Sequence, residues 1–150
     1  MASLSDVERF VRAEQGLAVI SVVAGSGASA RPASSLVNVG VAEHPVTGEA
    51  VVAFVARASA RKVAHLRANP NATVTISTSW RWVGVSGPVE LAGPDDPLDG
   101  LAADDVPGLL RAVFRAAGGV HDDWDEYDRV MADERRLAVL VGPRRVYGNP

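Results

Sequence analysis

Apolar positions along the chain follow two periods, and the switches between them mark out short strands and four helices. Val7, Phe10 and Val11 recur at helical spacing behind Ser5-Asp-Val-Glu8, which has the capping-box form, and Gly16 ends this first predicted helix. Leu17–Ala24 is short, β-branched and apolar but for Ser21, and reads as a buried strand. A loop of small residues leads to a second strand over Ser34–Val41. His44-Pro-Val-Thr-Gly-Glu49 is a turn, and Ala50–Ala56 returns as a third strand of a hairpin. A short basic helix then stops at Asn69-Pro70, because proline disfavours helix in the residue before it.

The second half repeats the mixture. Ala72–Ser77 alternates with period two, as a half-buried strand does. Another strand begins at Trp80 and runs through Pro88 to Leu91, and Gly84 and Gly87-Pro88 predict a bulge or bend of the kind found at a barrel corner. After an acidic loop from Gly93 to Asp105, helices are expected over Pro107–Ala117 and His121–Arg135, the latter with acids at its start and arginines at its end, matching the helix dipole. Leu137–Val141 is the closing strand, with Val146-Tyr147 as its extension.

Hairpin-linked strands without regular β–α alternation, and with no repeat or linker, predict one mainly β (α+β) domain over residues 1–150. The expected form is an antiparallel barrel of about six strands with peripheral helices. The longest uninterrupted apolar run, Ala50–Ala56, is far short of the roughly 20 residues that cross a bilayer, so no membrane association is expected. The absence of cysteine and of a visible secretory signal makes a cytoplasmic location the expectation. A net charge of −3 and a pI near 5.6 argue against a nucleic-acid binder. Neither a G-x-G-x-x-G nor a P-loop is present.

Candidate chemistry is concentrated in Arg57–Pro70. Arg57, Arg61, Lys62 and Arg67 stand there without a carboxylate, and Lys62 is the chain's single lysine. Such a cluster at a strand-to-helix junction suits phosphate or carboxylate oxygens, with Ser59 as a candidate helix cap; the alternative is a solvated basic face. His44, His65 and His121 are too far apart in sequence to suggest a metal site, and no Gly-x-Ser-x-Gly surrounds a serine. Trp80 and Trp82, two apart on a predicted strand, point to one side and suit core packing, a subunit interface or a planar ligand. A planar wall and a cation cluster without acid–base machinery suggest a cofactor that brings the chemistry.

Arg61-Lys-Val-Ala-His-Leu-Arg-Ala-Asn-Pro70 followed by Ala-Thr-Val-Thr resembles the Lys-x-x-x-Leu-x-x-x-Pro helix of the split-barrel flavin/deazaflavin oxidoreductases. Trp80–Leu91, Gly119–Met131 and Arg144–Pro150 resemble later segments of the same family, in its actinobacterial pyridoxamine 5'-phosphate oxidase-like branch that uses coenzyme F420. The resemblance implies a homodimer of split β-barrels with two cofactor sites at the subunit interface. Carried over position by position, it implies that Lys62 meets the anionic tail of the cofactor, with Arg57, Ser59 and Arg61 around it. It places Ser34, Ser35 and Asn38 beside the ring, together with Val55 and Ala56 at the end of the third strand. Trp80 and Trp82 match aromatics supplied by the second subunit. Ala33, Leu36 and Ala60 depart from residues found in some relatives. The activity implied is hydride transfer between reduced F420 and a small unsaturated or conjugated substrate. The alternatives are an FMN-dependent pyridoxamine-phosphate-oxidase-like enzyme and a flavin- or deazaflavin-binding protein without turnover.

Overall fold

Eight antiparallel strands form one sheet in a computed structural model that describes all residues, 1–150. Helix α1 (Leu4–Glu14) precedes β1 (Leu17–Ala24), β2 (Arg31–Asn38), β3 (Gly40–Glu43) and β4 (Ala50–Arg57). Helix α2 (Arg61–Ala68) leads to β5 (Asn71–Thr78) and β6 (Arg81–Ala92). Helices α3 (Val106–Ala116) and α4 (Trp124–Asp133) then precede β7 (Arg136–Val141) and β8 (Arg145–Asn149). The order across the sheet is β2-β1-β5-β6-β7-β4-β3, with β8 also on β6.

Two of the six expected strands are each broken in two. The expected Ser34–Val41 strand is divided at Val39, whose N–H donates 2.8 Å to the Gly16 carbonyl while the Asn38 amide reaches the Gln15 carbonyl at 2.5 Å. Gly40 follows because the α3 backbone at Ala116 occupies the space a Cβ would need. The closing strand is broken at Gly142–Arg144. Val141 pairs with Val89 but Arg145 pairs with Ser86, so the register along β6 slips by one residue, which is a bulge. The bend expected near Gly87-Pro88 is where β6 leaves β5 for β7, and Gly87 is needed there because a Cβ would strike the Gly142 carbonyl.

Side chains alternate between two hydrophobic layers. Ile20, Val22, Val52, Phe54, Val74, Val83, Val85, Val139 and Val141 fill the barrel, plugged by Val7 and Phe10 of α1 and by Val63 and Leu66 of α2. The opposite faces of β4 and β7 (Val51, Ala53, Ala138, Leu140) meet Leu109, Leu110 and Val113 of α3 and Tyr127 of α4. Nothing covers the outer face of β2, β1 and β5. The strand Leu17–Ala24 is therefore not buried throughout: Leu17 and Val19 point outward, and Val19 pairs directly with Leu36, itself 65% exposed.

Boundary corrections are small and have local causes. Ser3, not Ser5, caps α1, since Ser3 and Asp6 form the reciprocal capping box. Helix α4 starts at Trp124, not His121, because the Asp123 carboxylate accepts from the Glu126 N–H. No helix is long and apolar enough to cross a membrane.

Candidate functional site

Strand β4 and helix α2 place the basic segment. Arg57 lies opposite Arg136 on β7, and the Glu134 carboxylate bridges them: Nε of Arg57 is 3.1 Å from Oε2, and Nε of Arg136 donates to it at 2.7 Å. The hydrogen bond from Arg136, followed by the charges of both arginines, holds the Glu134 carboxyl below its ordinary 4.5. Arg67 makes two 2.8 Å hydrogen bonds to Asp96, and Arg135 pairs with Asp95. Two of the four cations that lack carboxylates in the sequence thus acquire them in the fold. Arg57, Ser59, Arg67 and Arg135 share an open cleft of about 730 Å³ with Asp95, Asp133 and Glu134, three cations against three acids.

Arg61 and Lys62, at the start of α2, have no ion-pair partner. Lys62 is half-buried, and burial pushes its ammonium below the ordinary 10.5. A cation desolvated without a counter-charge gains from a bound anion. Ser59 does not cap this helix; Ala60 occupies the cap position, and no side chain replaces it.

Asn38 and Val55 come together in a groove of about 310 Å³ against Phe114, Tyr127, Met131 and Arg136. Of the other residues expected beside a ring, Ser34 is on the outer face of β2, 2.9 Å from the Ser21 hydroxyl. Ser35 is on the opposite face, half-buried. Ala56 points into the barrel core and is 6% exposed, so its side chain faces away from the groove that Val55 lines.

The two indoles do not form a wall on one strand. Trp80 sits with Ser79 in the turn before β6, 92% exposed, because Ser79 takes up the positive φ that reverses the chain. Trp82 is within β6 and packs edge-to-face on Tyr147 with centroids 5.8 Å apart; the tyrosine ring lies over Gly84, where a Cβ would collide with it.

Two of the histidines make local structural contacts. His44 is buried, with Nε2 3.0 Å from Glu90 and Nδ1 accepting from the N–H groups of Val46 and Thr47, which fixes the β3–β4 turn. His121 joins Phe114, Trp124 and Tyr127 in an aromatic cluster between α3 and α4. The acids that sequence reasoning misses, Asp95, Asp96 and Glu134, carried one signal: they are charges opposite in sign to the basic helix.

No family model matches the chain. Among solved structures, the chain is similar to a conserved hypothetical protein of Mycobacterium tuberculosis at 16% identity, covering 99% of this chain and 85% of that one with a TM-score of 0.68. It is similar to a pyridoxamine 5'-phosphate oxidase-related, FMN-binding protein of Nostoc punctiforme at 12% identity, with coverages of 95% and 80% and a TM-score of 0.62. An F420 reductase matches at 14% identity, with coverages of 87% and 88% and a TM-score of 0.55. The shared feature is the fold, and it is the split barrel expected from the sequence.

Proposed function

We propose that this chain is an oxidoreductase of the split-barrel flavin/deazaflavin family, working as a homodimer with coenzyme F420. The observation that carries the reading is the unpaired, half-buried Lys62 beside Arg61 at the start of α2, on a fold it shares with an F420 reductase and an FMN-binding protein. Lys62 and Arg61 hold the anionic tail, with Arg57 and Ser59 next to them. Asn38 and Val55 border the ring, and Ser34 and Ser35 are the further polar groups of β2. When bound, the reduced deazaflavin supplies a hydride to a small conjugated substrate, with water as the proton source. The chain's part is to orient the ring and shape the substrate space beside it.

Two features support the dimer. Leu17, Val19 and Leu36 expose apolar side chains side by side on a face that no helix covers. Trp82 also lies ten residues along β6 from Ala92, the residue level with Val55 through β7, which is on the order of 30 Å of strand. In this reading Trp80 and Trp82 come to the ring from a second copy.

FMN is the second reading, favoured by the count of free cations. With Arg57 and Arg67 paired to acids, Arg61 and Lys62 match a single phosphate as well as a longer tail. Titration of the purified protein with reduced F420 and with FMN, followed by fluorescence, decides between them. Tighter F420 binding, with the difference shrinking as salt rises, supports the leading reading; tighter FMN binding replaces it with the second. Binding of either without reduction or oxidation of any conjugated acceptor identifies a binding protein without turnover.

A further inference from the structure

A second cavity, of about 280 Å³, shares Met131 and Arg136 with the groove that contains Asn38 and Val55. The loop after β6 forms one wall with Pro94, Pro97, Leu98 and Leu101. Helices α3 and α4 form the others with Val106, Leu110, Met131 and Ala132. Three ionic side chains reach the lining, and each already has its counter-charge. Asp96 is held by Arg67 at 2.8 Å, Asp128 by Arg111 at 2.9 and 2.5 Å, and Arg136 by Glu134 at 2.7 Å. An ionic ligand would find these groups already paired and would itself leave water for a mainly apolar lining, which disfavours its charged form.

The wall is also rigid. Gly93 and Asp96 exchange backbone hydrogen bonds of 2.9 and 3.1 Å, Asp95 is tied to Arg135, and prolines 94 and 97 restrict the backbone between. A preformed apolar space accepts a ligand with little ordering cost. We infer that this cavity binds an uncharged apolar molecule of up to about two fused rings, given that a cavity of about 150 Å³ takes up benzene. The inference stands independently of the cofactor proposed above.

The sequence provides the probe. Met131 is the only methionine besides Met1, so isotope-labelled methionine methyl groups give one internal NMR signal. Naphthalene, added to the protein without cofactor, should shift the Met131 signal saturably and leave Met1 in place. The anionic 2-naphthoate should bind at least about tenfold more weakly, the loss expected when a charge is buried without a partner. Ala132→Trp, at an exposed position on the rim, should abolish the naphthalene shift; Ala103→Trp repeats the block from the loop side should the first variant unfold. Absence of a saturable shift, equal binding of 2-naphthoate, or a shift that persists in a folded tryptophan variant overturns the inference. Cofactor titration of the same sample reports separately, so failure of one reading leaves the other intact.

Discussion

The Arg67 guanidinium meets the Asp96 carboxylate in two parallel hydrogen bonds of 2.8 Å, which fasten the last turn of α2 to the loop after β6. Helix, loop and the start of β7 become one electrostatic unit through the neighbouring Arg135–Asp95 and Arg57–Glu134–Arg136 contacts. A double-mutant cycle of Arg67→Ala and Asp96→Ala should return a coupling of about 0.5–1 kcal/mol, the range for well-formed surface pairs. A coupling of zero by urea denaturation would mean that the pair does not hold the loop.

Lys62→Ala should weaken cofactor binding by about 1.5–3 kcal/mol, a hydrogen bond to a charged group, or roughly ten- to more than a hundredfold in Kd. Lys62→Arg should restore only part of this, since a planar fork replaces a compact ammonium. Folding stability should hardly change. Wild-type affinity in Lys62→Ala would leave the basic helix a solvated face.

The lone lysine also reports its own protonation. Its side-chain NMR titration should centre below 10.5 in the free protein, because burial disfavours the charged form. Stability should accordingly gain as pH rises through that lowered value, where the neutral amine is the cheaper one to bury. A phosphate-bearing ligand should move the midpoint upward. An unchanged midpoint on saturation would show that Lys62 does not touch the anion.

Glu134 has the opposite sign. Its folded-state value is lowered by Arg136 and Arg57, so its stabilisation is complete above 4.5 and disappears as pH falls through the lowered value. Glu134→Gln should therefore melt below wild type at pH about 7, and the gap should narrow on acidification below about pH 4. A gap independent of pH would point to packing instead of charge.

Leu36→Glu should dissociate the proposed homodimer at micromolar concentration in sedimentation experiments while leaving the circular dichroism spectrum intact, because Leu36 is 65% exposed on the uncovered face. A variant that stays dimeric would move the interface elsewhere.

Much of the fold is legible in the sequence because its strands alternate and its turns carry proline and glycine. The bounds of β1 and the helical spacing of α3 are read directly from apolar spacing. The apolarity of Leu17–Ala24 on both sides of Ser21 misleads about burial, since the outward Leu17 and Val19 look the same in sequence as core residues. Ser3 and Ser5 each stand three residues before an acid, so the pattern alone does not choose the cap. The candidate site is only partly legible. Lys62 and Arg61 are visible as charges, but Asp96 is 29 positions from Arg67, and only the packing of the loop onto α2 brings them together. The turn at Ser79-Trp80 removes Trp80 from the strand for a local reason, a backbone reversal that no side-chain pattern announces.

The bulge at Gly142–Arg144 makes chain length itself informative. Before it, the odd-numbered Leu137, Val139 and Val141 point into the barrel; after it, the even-numbered Val146 does, and Tyr147 faces out over Gly84. The inserted residue absorbs one step of the alternation, so deleting one residue there would leave Val146 inward and Tyr147 outward while removing the bulge and the bend it gives the strand. The extra residue at this point therefore sets the course of the chain past Gly87 and not the facing of its side chains, which a regular ladder would preserve.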